Sequence, residues 1–147
     1  MFYNTDFLKN DEIFLRLDNT VKGNPEKQLV DYYSLKICLS SDGTEVGLCN
    51  FRVGNTQRLF FGGNIGYEIY EPYRGHYYSG KACMLLFDLA RKHNMSYMYI
   101  TCNPDNIGSI KNCEYAGGTL VATVDLPTDT DMYEEGERHK CIYRFSL

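Results

Sequence analysis

Apolar and polar residues alternate over Glu12–Leu17 (EIFLRL), a two-residue period that predicts a half-buried strand. Similar runs predict strands over Val30–Leu39 and Glu45–Val53. The Ser40–Thr44 turn joins them, its Asp-Gly pair accepting the positive φ that a tight hairpin demands. Asp18–Gln28 reads as a loop, and Gly54-Asn55 and Gly62-Gly63 as breaks. Asn64–Glu71 is a further strand, ended by Pro72, which has no N–H to give a ladder.

The period then changes. Ala82, Leu85, Leu86, Leu89 and Ala90 recur at helical spacing and predict a helix over Ser79–His93. Arg91, Lys92 and His93 fall in its last turn, where the dipole favours cations, and Asn94 is its stop. Ser96–Asn103 is a strand of near-continuous apolar character. Asp105 or Asn106 caps a short helix that Gly117-Gly118 terminates. Thr119–Leu126 and Lys140–Leu147 are the last strands, with an acidic loop (Pro127–His139) between them. This order predicts an α+β fold with a mixed, mostly antiparallel central sheet and helices packed on it. The strand–helix–strand unit of Asn64–Asn103 is expected to be right-handed and locally parallel.

Composition narrows the partners. The length of 147 residues fits one domain, and a net charge of −4 argues against nucleic acid, which needs clustered Lys and Arg. Mild acidity suits a cationic small molecule, or plain solubility. No apolar run approaches the roughly 20 residues that span a bilayer, so no membrane partner is expected. The first twelve residues lack the basic and apolar segments of a signal peptide. None of the six cysteines forms C-x-x-C, which predicts reduced thiols in a cytoplasmic protein. No His or Cys pair has ligand spacing, so no metal is expected.

Candidate chemistry gathers between the Asn64–Glu71 strand and the long helix. Gly75–Lys81 reads G-x-x-x-x-G-K, one residue short of a triphosphate-binding loop. The next residue is Ala82, which has no hydroxyl for Mg²⁺, and this counts against a nucleotide triphosphatase. Free N–H groups at a helix start, with Arg74 beside them, predict an anion seat; the bland alternative is a loop whose glycines merely turn the chain.

Gly66–Gly118 resembles the GNAT superfamily of N-acetyltransferases, with a bacterial branch suggested by the G-G-x-I-G-Y entry at Gly62–Tyr67. Arg74, Tyr77 and Ser79 stand at the R/Q, G and G/A positions of that family's R/Q-x-x-G-x-G/A turn. Asn106, Ser109, Glu114 and Gly117 match its N-x-x-S/A and E-x-x-G positions. The resemblance implies a splayed strand and acetyl-CoA as co-substrate. The diphosphate would be held by Arg74, Gly75, His76, Tyr77, Tyr78, Ser79, Gly80 and Lys81, with Asn106 and Ser109 contributing from the next helix. Ile69, Tyr70 and Glu71 would supply the oxyanion donor and pair with the pantetheine arm. Tyr77 departs from the expected glycine, and its Cβ narrows the approach to phosphate. Glu68 and Tyr70 are the nearest candidates for a general base, although Glu68 also fits a solvated surface position. Cys113 stands where many members carry a tyrosine acid, and also fits simple packing.

Relatives insert a helical segment after the first strand, where only Asp18–Gln28 is available here. The acceptor side is therefore expected to be open, or closed by a partner subunit in a homodimer, or by the acidic loop. That loop's Asp129, Asp131, Glu134, Glu135 and Glu137 can recognise an amine or simply be solvated. The implied function is acetyl transfer from acetyl-CoA to a primary amine of a small molecule or peptide. The alternative is a non-catalytic CoA-binding or scaffold module of the same fold.

Overall fold

Two antiparallel sheets organise the protein, and the computed structural model describes residues 1–147. The first contains β1 (Ile13–Val21), β2 (Tyr32–Leu39), β3 (Glu45–Arg52) and β4 (Ile65–Ile69), in that order. The second contains β5 (Tyr97–Cys102), β6 (Thr119–Asp125) and β7 (His139–Ser146), with β7 in the middle. Four helices accompany them: α1 (Gln57–Gly62), α2 (Tyr78–Lys92), α3 (Ile107–Tyr115) and α4 (Asp131–Glu134). None is long and apolar enough to cross a membrane.

Helix α2 carries the core. Its inner face buries Ala82, Cys83, Leu85, Leu86, Phe87, Leu89 and Ala90 against Ile13, Leu35, Cys49 and Phe51 of the first sheet and Met98, Ile100 and Phe145 of the second. A fully buried leucine or phenylalanine contributes roughly 1.5–3 kcal/mol, so this face holds both sheets to one helix. Asn94 takes a left-handed φ of 60° directly after it, as its stop position requires.

Three expectations are corrected. Strand β1 runs to Val21 rather than Leu17; a register shift between Leu17 and Asn19 lets a polar, exposed tail keep pairing with β2. Residues 57–62, read as lying between two breaks, form the short helix α1, which packs over β5. The strand–helix–strand unit is not a parallel ladder. β4 pairs only with β3 and β5 only with β7, so the expected α+β fold holds with its strands divided between two antiparallel sheets that meet at one point.

That point is Asn64, which is completely buried. Its N–H donates to the Tyr99 carbonyl at 2.7 Å, and its side-chain oxygen accepts from the Tyr99 N–H at 2.9 Å. Its amide nitrogen donates to the carbonyls of Arg52 (2.9 Å) and Gly54 (2.8 Å). One amide thus satisfies three backbone groups where the sheets diverge, and beyond it β4 and β5 splay apart.

At the other end of α2, His93 Nε2 lies 2.7 Å from the Tyr33 hydroxyl, in a box completed by Tyr3 and Phe51. Burial lowers the His93 pKa from its ordinary 6.5, outweighing the helix dipole that would favour the cation. The unfolded chain then binds a proton that the folded chain resists. The contribution is fully present above pH 6.5 and is lost as the pH falls from there toward the folded value. The melting temperature of the wild type is expected to drop more between pH 7.5 and 5 than that of His93→Gln; parallel slopes in a thermal-denaturation series would contradict this.

Candidate active site

The turn between β4 and α2 is built from residues that leave their N–H groups free. After β4, Glu71–Tyr73 form one 3-10 turn and Gly75 takes φ 95°, with open space where a Cβ would stand. Glycine is needed there for conformation, not for room. Tyr77 follows at φ 59°, ψ 28°, the left-handed geometry that a glycine would adopt without strain. That costs a side-chain-bearing residue about 1–2 kcal/mol. It is offset in part by the Tyr77 ring stacking on Tyr115, centroids 4.7 Å apart and planes 11° from parallel.

The result is five consecutive N–H groups, Gly75 to Ser79, with no acceptor in the protein. The sixth, on Gly80, donates to the side-chain oxygen of Asn112 at 3.1 Å. Asn112 in turn donates to the Gly108 carbonyl at 2.9 Å, which pins the head of α2 to α3. Gly80 is required by this contact, since a Cβ would come within 2.7 Å of the Tyr115 ring.

A cleft of about 610 Å³ opens over the free N–H groups, walled by Tyr67–Ile69 of β4, the turn, and the first residues of α3. At α3, the Asn106 side chain caps the helix by accepting from the Ser109 N–H at 3.1 Å. The Ser109 hydroxyl lies 2.5 Å from the Tyr67 hydroxyl. Burial pushes the Tyr67 pKa well above the ordinary phenol range, so this hydroxyl keeps its proton.

The expected site residues divide. Glu68, Ile69, Arg74, Gly75, His76, Tyr77, Tyr78, Ser79, Asn106 and Ser109 all line the cleft. Tyr70, Glu71, Gly80, Lys81 and Cys113 do not. Tyr70 donates its hydroxyl to Glu45 at 2.5 Å, a bond that raises its pKa and leaves it no role as a base. Lys81 is turned away into an ion pair with Glu12 (2.7 Å) and a bond to the His76 carbonyl. Arg74 donates Nε to the Ile69 carbonyl at 2.9 Å, latching the turn onto the strand end. Cys113 is buried beneath the cleft, where its hydrogen bond with Cys102 and its burial raise its pKa, opposite to what a proton donor needs. Glu68 is the only carboxylate lining the cleft, and it has no ion-pair partner.

Sequence reasoning did not single out Tyr67, Tyr73, Gly108, Lys111 or Asn112, all of which line the cleft. The G-G-x-I-G-Y entry contains Tyr67, but nothing local announces that its hydroxyl meets Ser109 across 42 residues.

Strand parity explains how β4 faces the cleft. The Tyr70 N–H donates to the Val46 carbonyl, so even-numbered residues of β4 bond to β3. The backbone groups of Ile65, Tyr67 and Ile69 therefore point into the split between the sheets. Of the three residues expected to offer an oxyanion donor, Ile69 alone has its N–H there; that of Tyr70 is spent on Val46, and Glu71 belongs to the 3-10 turn.

A family model described as an acetyltransferase (GNAT) domain matches residues 8–119. Among solved structures, an acetyltransferase from Agrobacterium tumefaciens str. C58 is similar with TM-score 0.58 and 24% identity, over 79% of this chain and 61% of that one. The microcin C7 self-immunity acetyltransferase MccE, solved with acetyl-CoA and AMP, gives TM-score 0.62 and 17% identity, over 79% and 61%. A ribosomal-protein-S5-alanine acetyltransferase from Vibrio fischeri gives 0.61 and 14%, over 78% and 61%. The chain thus spans about three fifths of the length of each of these structures. No curated protein matches it.

Proposed function

The chain belongs to the GNAT acetyltransferase family, and from that premise we propose that it transfers an acetyl group from acetyl-CoA to a primary amine by direct attack in a ternary complex. The observation that carries this is the run of unbonded N–H groups from Gly75 to Ser79 at the head of α2, open to the cleft. Such a run with a helix dipole behind it suits a diphosphate. The free edge of β4 suits the amides of a pantetheine arm, which would add to it as a strand does.

In this reading the Ile69 N–H receives the oxyanion that forms on the thioester carbonyl. A donor of this kind is typically worth about 3–4 kcal/mol. Glu68 takes a proton from the attacking amine, directly or through one water. Leu48 is its partner on β3, so Glu68 lies on the sheet face opposite α2, from which an acceptor can approach. The carbon–sulfur bond breaks and coenzyme A leaves as a thiolate. Tyr67, held protonated, donates a hydrogen bond to that sulfur without surrendering its proton, backed by Ser109. Holding both reactants contributes the largest share, roughly 7–11 kcal/mol for well-oriented partners.

The test is calorimetric titration with acetyl-CoA, followed by thiol release across a panel of primary amines. Binding with turnover is expected. Binding without thiol release from any amine would favour a non-catalytic carrier-binding module, and absence of binding would overturn both. Glu68→Gln is expected to lower kcat about a hundredfold at unchanged acetyl-CoA affinity; a kcat within twofold of wild type would remove Glu68 as the base.

A further inference from the structure

A second cavity, about 850 Å³, shares no lining residue with the cleft. It lies between the β1–β2 connection, α1 and the loop ahead of α4. Five charged side chains line it: Lys22, Arg52, Arg58, Asp129 and Asp131. None is in an ion pair within the protein. Four of the five are exposed, so solvent and salt screen them. Arg52 alone is withdrawn from water, and burial draws its pKa down. It offers five N–H donors, of which Nη1 is spent on the Gly63 carbonyl at 3.0 Å. Its backbone is fixed by both bonds to Asn64, so the guanidinium is presented from a rigid base. A half-buried guanidinium with no carboxylate partner suits an external anion.

Register relates this cavity to the cleft. Cys49 and Phe51 of β3 face α2, so Leu48, Asn50 and Arg52 face away from it. Glu68 pairs with Leu48 and therefore shares the face of Arg52. Four residues of strand and one inter-strand step separate them, roughly 14 Å between Cα atoms. The Nη1 bond to Gly63, just ahead of the paired Asn64, keeps the guanidinium at its own end of the strand, so about 14 Å also separates the two functional ends.

We propose that this cavity is the anion-anchoring half of the acceptor site, taking a carboxylate or phosphate carried about 14 Å from the amine that meets Glu68. The acceptor class is thus an elongated amine with an acidic far end, held by Arg52 at the floor and by Lys22 and Arg58 at the rim. Asp129 and Asp131 line the same cavity and disfavour a second anion in it. This inference rests on the transferase reading and adds the acceptor's charge to it.

The probes are ω-aminoundecanoate, ω-aminoundecyl phosphate and the neutral ω-aminoundecanamide, each assayed for kcat/KM and, separately, for equilibrium binding without acetyl-CoA. One or both acidic probes are expected to exceed the amide by roughly ten- to a hundredfold, and which one leads identifies the anion. In Arg52→Gln the ratio of acidic to neutral probe should fall to about one, with acetyl-CoA affinity retained. Lys22→Gln/Arg58→Gln, altered only at exposed positions, should lower the same ratio about threefold and guards against an Arg52 variant that does not fold. Equal kcat/KM for all three probes, or a preference that survives Arg52→Gln, would overturn the assignment. If no probe turns over, the binding arm decides: acidic probes that bind wild type but not Arg52→Gln uphold the anion site while the transferase reading fails, and probes that do not bind sink the anion site itself.

Discussion

Asn64→Ala is expected to destabilise the protein by roughly 3–5 kcal/mol, the sum of three backbone groups losing their partner at about 1–3 kcal/mol each after partial relaxation. The Tyr99 N–H and the carbonyls of Arg52 and Gly54 all depend on that one amide. No water reaches a site where the side chain is completely buried, so substitution leaves the groups unpaired. Asn64→Asp keeps the acceptor for Tyr99 but loses both donors and buries a charge, and should be at least as damaging. Urea unfolding checks this through the midpoint and slope. A loss below 1 kcal/mol for Asn64→Ala would mean that the sheets are held together by α2 alone. Acetyl-CoA affinity should fall with stability, because the same residue sets where β4 leaves β5.

Gly75→Pro is expected to weaken acetyl-CoA binding at least a hundredfold while the melting temperature moves little. Gly75 has φ 95°, and proline is confined near −65°, so the turn must reroute. Proline also removes one of the five free N–H groups and re-aims its neighbours. Losing two charge-assisted bonds at about 1.5–3 kcal/mol each accounts for the effect. The turn is exposed and packs against nothing at that position, so the core is spared. Gly75→Ala is the milder control, with open space around its Cβ and only backbone strain to bear. Wild-type affinity in Gly75→Pro, by titration calorimetry, would move the diphosphate seat elsewhere.

Legibility in the sequence followed the range of the interactions involved. Helix α2 was readable because Ala82, Leu85, Leu86, Leu89 and Ala90 recur at helical spacing over about two and a half turns, and the core uses that face. Helix α1 was not, since QRLFFG has one buried residue and ends in glycine, leaving no period to detect. The tail of β1 was missed because Asp18–Val21 has no alternation; its pairing with β2 is what makes it a strand. The division into two sheets had no local sign at all. It depends on where Asn64 meets Tyr99, a contact across 35 residues.

The site divides in the same way. The turn proposed to hold the anion was visible as glycines between a strand and a helix, and Gly75 takes a positive φ within it. Arg74 and Lys81 carry the right charge, but their partners, the Ile69 carbonyl and Glu12, are set by the fold. Tyr77 illustrates a limit of motif matching: the residue changed while its backbone kept the left-handed geometry, and Tyr115, far along the chain, made the change tolerable.

The free edge of β4 also bears on the stability of the protein when nothing is docked along it. A bare row of amides between two diverging sheets is an adhesive seam, open to any extended segment that can dock there. A molecule that fills the seam acts as a removable strand and raises the stability of the whole chain in proportion to the logarithm of its concentration. On the transferase reading, the level of acetyl-CoA would then set how long this protein survives as well as how fast it works.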